Sequence, residues 1–386
     1  MNLKLVGSSL IVAGTALGAG MLAIPMVLAQ FGLLWGTLLM LFIWAGTTYA
    51  ALLLLEASCK VGGGASMNAI ARETLGKGGQ LVTNSLLYAL LVCLLMAYII
   101  GAGDLVQKVT ASIGLPTSTI ASQVGFTLLV GIIVSAGTGV VDKLNRGLFL
   151  GMIVALILTL FALAPSVSFE GLDEVVSDDK MALIKTSSVL FTSFGFMVVI
   201  PSLVTYNKEA SKTQLRNMII VGSTIPLVCY LLWLLAVVGN LPPHELVQYS
   251  NVTELISVLG QQYEGLEFIL SMFTGLALLT SFLGVAMALY DQNADLLKAS
   301  KPVIFVTTFV LPLLGAVFAP EHFLAILSYA GGIILVFLAV FVPLSMTMKV
   351  RRVPVEDDNI YEAGGGVMGM SMIFLFGCFL LFAQAV

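Results

Sequence analysis

Residues 7–25 of the chain read GSSLIVAGTALGAGMLAIP, and residues 186–201 read TSSVLFTSFGFMVVIP. Both stretches contain a pair of serines near the start, carry glycine near the centre and end in Ile-Pro. Each belongs to an apolar run long enough to cross a hydrocarbon core ~30 Å thick as a helix. Glycine weakens helices, and unwound backbone at mid-membrane depth is tolerated only where it lines a cavity or is covered by protein. The two stretches therefore predict a pair of related membrane helices, each interrupted near its middle.

The composition of the whole chain agrees with a membrane setting. Of its 386 residues, 59% are hydrophobic and only 10% are charged, and the mean hydropathy is +1.06. A soluble domain, a disordered chain and a nucleic-acid-binding protein are excluded, because each carries far more charge. The apolar runs are about twice the ~10-residue length of a membrane β-strand and do not alternate. The predicted fold class is an all-α polytopic membrane protein.

Eleven apolar segments are predicted to cross the bilayer as helices, at about 5–29, 32–57, 82–104, 122–141, 147–165, 185–206, 215–239, 266–290, 302–319, 322–347 and 367–385. Five spans separate the two glycine-centred stretches, so the second enters the membrane from the opposite face. This spacing predicts a 5+5 inverted repeat, with residues 1–165 as the first unit and 166–348 as the second. Residues 349–386 then form a connector and an eleventh helix outside the repeat.

The distribution of lysine and arginine orients the spans. With the N-terminus inside, most of the 17 basic residues lie at inner loops and helix ends, whereas Lys108, Lys180 and Lys185 lie outside. Cytoplasmic loops of membrane proteins are enriched in positive charge. We therefore expect a cytoplasmic N-terminus, a cytoplasmic connector before the eleventh helix, and a C-terminus on the opposite side.

An interrupted helix presents two kinds of free backbone group. The start of its second half exposes N–H groups and the positive end of the helix dipole, which suit a carboxylate. The end of its first half exposes carbonyls, which suit an ammonium group or a metal cation. Paired discontinuous helices of this kind indicate a transport site. We expect the carboxylate of a zwitterion to bind the N–H groups of Gly18, Ala19 and Gly20, with Thr15 nearby.

A coupling ion needs further ligands. Thr280 and Ser281 lie at about mid-depth in the eighth segment, and their hydroxyls would complete a cation site with the carbonyls near Ala13 and Gly14. Two alternatives stay open. Serine and threonine often bond to their own helix backbone, and Gly14-x-x-x-Gly18 is also a helix-packing pattern.

Proton coupling instead needs a carboxylate that gains and loses a proton. The candidates are Asp291, Asp104 and Glu56, all near the ends of predicted spans. Burial raises a carboxyl pKa and can bring it near neutrality. Asp291 is favoured because it lies between the central site and the cytoplasmic face. The alternative for all three is an interfacial charge paired with a neighbour or with a helix end.

Three stretches carry a resemblance to a known family. IVAGTALGAGMLAIP (11–25), FTSFGF followed by VIPSLVTY (191–206) and SFLGVAMALYDQNADL (281–296) resemble the bacterial hydroxy/aromatic amino acid permeases, most closely those specific for tyrosine. The likeness covers nearly the whole chain. It implies a LeuT-type fold of the amino acid–polyamine–organocation superfamily, eleven spans, a place in the bacterial inner membrane and uptake driven by the proton gradient. One position departs, because SFGF is followed by Met197 where tyrosine and tryptophan permeases carry histidine.

With this resemblance we expect an aromatic amino acid as substrate, tyrosine foremost, with phenylalanine and tryptophan overlapping, and neither a cofactor nor a metal. The residues expected around its ring come from the sixth, third, eighth and tenth segments: Ser193, Phe194, Gly195, Phe196, Met197, Tyr98, Phe282 and Tyr329. Membrane aromatics also gather at the bilayer interface, which is the alternative for Tyr98 and Tyr329.

Three other functions are alternatives to a proton-coupled importer. Sodium coupling is favoured by Thr280 and Ser281 and by the lack of a carboxylate at mid-depth. A membrane-embedded enzyme would need a nucleophile, a metal site or a carboxylate pair at depth, and the sequence has no HExxH or GxSxG motif. A channel or structural subunit would not need two interrupted helices in an inverted repeat. The partners expected are therefore an amino acid, a coupling proton or sodium ion and the lipid bilayer, with no nucleic acid.

Overall fold

A computed structural model describes residues 3–62, 66–170, 172, 174–249, 252–261, 265–352 and 361–386. Part of the predicted connector, residues 353–360, lies outside this range. The α-helices are α1 (Leu3–Ala16), α2 (Ala19–Leu28), α3 (Gly32–Lys60), α4 (Met67–Ser112), α5 (Thr119–Ser135), α6 (Thr138–Leu163), α7 (Lys180–Lys185), α8 (Ser187–Ser193), α9 (Ile200–Tyr206), α10 (Lys212–Val238), α11 (Pro243–Leu246), α12 (Val252–Gly260), α13 (Leu266–Leu297), α14 (Lys301–Phe318), α15 (Phe323–Tyr329), α16 (Val342–Val350) and α17 (Gly366–Ala385). The described residues contain no β-strand.

Nine helices within the described ranges are long and apolar enough to cross a membrane. Two further apolar helices, Lys4–Ala16 and Thr119–Ser135, are shorter. Each of the eleven predicted segments is helical. The number of long apolar helices is nine where eleven spans were predicted, because the first segment is divided at Gly18 and because α5 has only 17 residues. The all-α membrane fold is confirmed, whereas the eleven-span topology stays a prediction.

The interrupted helices lie at the centre of the fold. α10 packs against α1, α2 and α3, while α13 packs against α4 and α6. Met21 and Leu22 of α2 and Leu190 and Phe191 of α8 are all fully buried. By contrast, Phe318 of α14 is 83% exposed. Apolar side chains that point outward suit a surface that contacts lipid, since lipid tails are as apolar as the side chains themselves.

Glycine allows the tenth predicted segment to approach α8 closely. This segment passes from α15 through two π-helical stretches, Ala330–Leu335 and Phe337–Phe341, into α16. A Cβ atom on Gly331 would collide with the Ser188 carbonyl and the Thr192 hydroxyl. Thr192 also donates to the Leu327 carbonyl at 2.8 Å. The segment is therefore fastened to α8 just before the second interruption.

Candidate functional site

The first interruption separates α1 from α2. Gly18 precedes α2 with φ −165° and ψ −155°, which is extended backbone. The Leu17 N–H still donates to the Ala13 carbonyl at 2.8 Å, and the Met21 N–H donates to the Gly18 carbonyl at 3.1 Å. The first N–H groups of a helix have no acceptor within it. The N–H groups of Ala19 and Gly20 therefore lie at the positive end of the α2 dipole, at positions that have no acceptor within the helix.

Hydroxyl groups border this first break. Gly18 lies so close to α13 that an added Cβ would collide with the Ser281 hydroxyl, and the Tyr98 side chain of α4 hydrogen-bonds with Ser281. On the other side, a Cβ on Gly20 would lie 2.9 Å from Ser193 Oγ. The structure thus brings together four of the residues predicted at the substrate site, Gly18, Gly20, Tyr98 and Ser193, and places beside them Ser281, which was predicted as a cation ligand.

The second interruption is more compact than the first. α8 ends at Ser193, and Phe194 and Gly195 have φ of −93° and −74° with ψ of 28° and 39°. The Gly195 N–H donates to the Thr192 carbonyl at 3.1 Å, and the Phe196 N–H donates to the Phe194 carbonyl at 2.9 Å. A 3-10 turn, Phe196–Val199, then leads into α9. The predicted break is present, but its N–H groups are already bonded to nearby carbonyls.

One residue at this site was missed by the sequence analysis. Tyr230 of α10 is fully buried, and its hydroxyl lies 2.7 Å from the Ala16 carbonyl oxygen and 2.7 Å from the Ser193 carbonyl oxygen. Its ring meets the Phe194 ring edge-on, with 5.0 Å between centroids. The available signal was a single phenol in the middle of the apolar run IPLVCYLLWLL (225–235).

The predicted ring-binding residues divide into two groups. Phe194, Phe196 and Phe282 are fully buried and Met197 nearly so. The Phe282 ring packs against Phe126 and Phe309, with centroids 5.0 and 6.2 Å away. Phe194 and Phe282 thus both pack on rings of the protein itself. Tyr329, at the end of α15, is instead 57% exposed.

The predicted cation ligands are largely engaged within their own helices. Thr280 donates to the Leu276 carbonyl at 2.8 Å. Thr15, which was predicted near the substrate carboxylate, is also engaged in this way, because it is exposed and donates to the Ile11 carbonyl at 2.8 Å. The Ala13 carbonyl accepts the Leu17 N–H. Gly14 lies where an added Cβ would come within 3.0 Å of the Phe149 ring, so it permits close packing of α1 on α6.

Glu56 is held in an ion pair. It is fully buried and accepts two hydrogen bonds from Arg351, at 2.8 and 2.7 Å. It also accepts the Ala363 N–H at 2.9 Å, and Lys60 lies 3.4 Å away. The hydrogen bond to Glu56 raises the pKa of Arg351, which keeps the guanidinium charged. This arrangement joins α3 to the residues before α17 and favours the paired-charge alternative for Glu56.

The other two carboxylates face open space. Asp291 is exposed on α13. Asp104 lines a cavity of about 670 Å³ between α4 and residues 248–249 and 253–258. Gln107, Lys108, Gln248, Tyr249 and Glu254 are among its other lining residues. Lys108 is paired with Glu267 at 2.6 Å and bonded to Ser257 at 2.7 Å. Neither Asp104 nor Asp291 is brought to the helix breaks.

Comparison with known proteins identifies the family. The model of the tryptophan/tyrosine permease family matches residues 1–384. Glutamine transporter 2 of Aliivibrio fischeri is 55% identical, with 100% of both chains covered. Tyrosine-specific transport system 1 of Haemophilus influenzae is 36% identical over 97% of this chain and 94% of its own length. A tryptophan-specific transport protein of the same organism is 30% identical over 99% and 95%.

These relatives are transporters and not enzymes, which agrees with the two interrupted helices and the apolar surface described above. They confirm the resemblance drawn from the three sequence stretches. The chain is a multi-pass membrane protein and belongs to the tryptophan/tyrosine permease family.

Proposed function

We propose that this permease imports glutamine across the bacterial inner membrane together with a proton, and that the substrate binds between the two helix breaks. The observation that carries this proposal is the set of hydroxyls beside the first break: Ser281 at Gly18, Tyr98 bonded to Ser281, and Ser193 at Gly20. A site with hydrogen-bonding groups rejects a ligand that leaves them unpaired far more strongly than an apolar pocket rejects an extra group. A side-chain amide supplies two donors and two acceptor lone pairs to such a site.

The backbone supplies the contacts to the common part of an amino acid. The N–H groups of Ala19 and Gly20, at the positive end of α2, receive the carboxylate. The carbonyls that end α1 and α8, those of Ala16 and Ser193, receive the ammonium group. Both charges of a zwitterion are then neutralised without a charged side chain, which agrees with spans that carry no charge near their centres.

The choice of glutamine rests on the relatives as well as on the hydroxyls. The relative named as a glutamine transporter shares 55% of its residues with this chain, whereas the relatives named for tyrosine share 36% and 32%. Met197, at a position where histidine occurs in the resembled aromatic permeases, is nearly fully buried. The Phe194 ring packs on Tyr230, and the Phe282 ring packs on Phe126 and Phe309. The atoms nearest an added Cβ on Gly18 and on Gly20 are hydroxyl oxygens, those of Ser281 and Ser193.

An aromatic amino acid, tyrosine above all, is the second candidate. The family description and the tyrosine-specific relatives favour it. Aromatic rings near the breaks favour it as well, since a movement of α8 or α13 would expose the surface of Phe194, Phe196 or Phe282 to a substrate between the two breaks. Aromatic contacts add ~0.5–1.5 kcal/mol beyond burial. On this alternative tyrosine, phenylalanine and tryptophan compete for one site.

Proton coupling is favoured over sodium by the state of the predicted cation ligands. The Thr280 hydroxyl and the Ala13 carbonyl are bonded within their own helices. Among the candidate carboxylates, Glu56 is fixed by Arg351, so Asp291 and Asp104 are the groups able to exchange a proton. We place Asp291 on the cytoplasmic side of the site, in a carrier of eleven spans with a LeuT-type inverted repeat and a cytoplasmic N-terminus.

The test is uptake of labelled glutamine into liposomes that contain the purified protein. Unlabelled tyrosine, asparagine and glutamate serve as competitors, since asparagine is shorter by one methylene and glutamate replaces the amide with a charge. We expect concentrative uptake under an inward proton gradient, strong competition by glutamine and weak competition by the other three. Competition by tyrosine with none by glutamine would favour the aromatic alternative.

The coupling assignment is tested on the same liposomes with proton and sodium gradients imposed separately. Asp291→Asn should abolish concentrative uptake but retain exchange of internal for external substrate, and Asp104→Asn is the comparison at the other end of the protein. If uptake follows the sodium gradient, survives Asp291→Asn and is lost in Ser281→Ala, the coupling ion is sodium and not a proton.

A further inference from the structure

Tyr230 of α10 contacts both helix breaks through one atom. Its hydroxyl oxygen is 2.7 Å from the carbonyl oxygen of Ala16, the last residue of α1, and 2.7 Å from that of Ser193, the last residue of α8. The two carbonyl oxygens therefore lie no farther apart than twice that distance. Neither the family resemblance nor the sequence pattern assigned a role to this residue.

The two carbonyls need such a donor. The last carbonyls of a helix have no intrahelical partner and carry the negative end of its dipole. Two of these ends held close together in a water-poor interior repel each other, and an unpaired buried acceptor is costly. A phenol has a single proton, so the Tyr230 hydroxyl donates to one carbonyl at a time. The other carbonyl remains available to a donor that a ligand brings.

The phenol has little freedom to move away. The Tyr230 side chain is fully buried, and its ring is held edge-on against Phe194, the first residue after α8. α10 packs along both α1 and α2. A displacement of α8 relative to α1 must therefore either carry Tyr230 along or break one of its two contacts.

We propose that the Tyr230 hydroxyl sets the spacing between the ends of α1 and α8 at which substrate binds, which makes Tyr230 a positioning residue for transport. The inference rests on the proposed placement of the substrate between the breaks. Removing the hydroxyl lets the two carbonyls separate, so the substrate has to draw them together and binds more weakly. The effect falls on affinity more than on the amount of folded protein.

The test compares Tyr230→Phe with Tyr290→Phe. Tyr290 of α13 is also buried, but its hydroxyl has no hydrogen-bond partner among the described residues, so it is a matched control for loss of a buried phenol. We expect Tyr230→Phe to reach the membrane at the level of Tyr290→Phe, to bind labelled glutamine about tenfold more weakly and to raise KM more than it lowers kcat. Tyr290→Phe should bind as the unmodified protein does.

Two results would overturn the proposal. One is binding by Tyr230→Phe within about twofold of the unmodified protein. The other is absence of Tyr230→Phe from the membrane while Tyr290→Phe is present, which would make Tyr230 a residue needed for folding.

A measurement without substrate separates this proposal from the proposed function. Ser193→Cys is introduced into a chain whose four native cysteines are replaced, and its labelling by a maleimide is timed. Faster labelling with Tyr230→Phe than with Tyr290→Phe supports the spacing role even if the unmodified protein binds none of the amino acids tested. Equal rates overturn it even if glutamine transport is established.

Discussion

The two helix breaks differ in what they leave unbonded. At the first, Gly18 is extended and α2 starts afresh at Ala19, so the Ala19 and Gly20 N–H groups have no acceptor within the helix. At the second, Phe194 and Gly195 stay near a turn conformation, and the Gly195 and Phe196 N–H groups donate to carbonyls of residues 192 and 194. The first break is therefore suited to an anionic group, while the second contributes the Ser193 carbonyl and two aromatic rings.

The difference also appears in how tightly each glycine is packed. A Cβ on Gly18 would collide with the Ser281 hydroxyl of α13, and one on Gly20 would lie 2.9 Å from Ser193 Oγ of α8. A Cβ on Gly195 would meet the Thr192 carbonyl, within its own turn, at 3.0 Å. Substitutions at the first break should consequently disturb the contact between helices, and those at the second should disturb one local turn.

The largest effect is expected for Gly18→Val. The added side chain enters the space of Ser281 and forces α2 and α13 apart at the predicted carboxylate site, so uptake should fall below detection while the protein still inserts. Gly7→Val is the control, because an added Cβ on Gly7 of α1 meets nothing within 4 Å. The measurement is glutamine uptake normalised to protein in the membrane, and normal uptake by Gly18→Val would remove the first break from the site.

A double variant shows whether that loss is steric. In Gly18→Ala the new Cβ would strike Ser281 Oγ, but it would lie 3.4 Å from Ser281 Cβ, an ordinary contact distance. Because Ser281→Ala also removes a hydroxyl of the proposed site, Gly18→Ala combined with Ser281→Ala should bind glutamine as weakly as Ser281→Ala alone, but more tightly than Gly18→Ala alone. If the double variant binds no better than Gly18→Ala alone, the loss in Gly18→Ala does not come from the collision with Ser281 Oγ.

Gly20→Ala should have the next largest effect. Its Cβ would lie 2.9 Å from Ser193 Oγ and 3.0 Å from Ser193 Cα, so the two breaks must separate slightly. We expect a rise in KM of about tenfold, the equivalent of ~1.4 kcal/mol, in a liposome uptake assay. An unchanged KM would mean that the spacing between the breaks is not part of the substrate site.

Tyr98→Phe tests the hydroxyls beside the first break. It removes the hydrogen bond to Ser281 while keeping the buried ring, and a lost hydrogen bond of this kind costs ~0.5–1.5 kcal/mol. Glutamine affinity should fall several-fold, and tyrosine competition should change less. Equal effects on both ligands would argue that Tyr98 acts by positioning Ser281 and makes no contact with the amide of glutamine.

Gly195→Ala should have the smallest effect. Its φ of −74° is open to alanine, and the neighbouring turn has to yield by only a few tenths of an ångström, so KM should rise by less than about threefold. A rise in KM as large as that expected for Gly20→Ala would mean that the two breaks do not differ and that the second contributes equally to substrate binding.

Sequence reasoning located the breaks because glycine clusters, serine pairs and Ile-Pro ends are local signals that repeat. It placed Gly18, Ala19, Gly20 and the Ser193–Gly195 turn where the structure has interruptions. It could not decide whether Thr280 bonds to its own helix or to a cation, because both uses need the same residue at the same depth. In the structure the Thr280 hydroxyl bonds to a carbonyl of its own helix.

The contacts of Tyr230 and the phenylalanine rings depend on how helices pack, which a single sequence does not encode locally. A lone tyrosine among apolar residues forms no motif with other polar residues in the sequence. Folding nevertheless brings the Tyr230 hydroxyl between the Ala16 and Ser193 carbonyls. Likewise Phe282 was predicted to face substrate, but α5 and α14 supply Phe126 and Phe309 as its neighbours. Such residues are found only once the helices are assembled.

The most direct test of the proposed substrate site is an experimental structure of this permease determined with glutamine bound. We expect the glutamine carboxylate to lie within hydrogen-bond distance of the Ala19 and Gly20 N–H groups, with the ammonium group at the Ala16 and Ser193 carbonyls. Glutamine found instead in the cavity beside Asp104, with the first break still closed against Ser281, would contradict it.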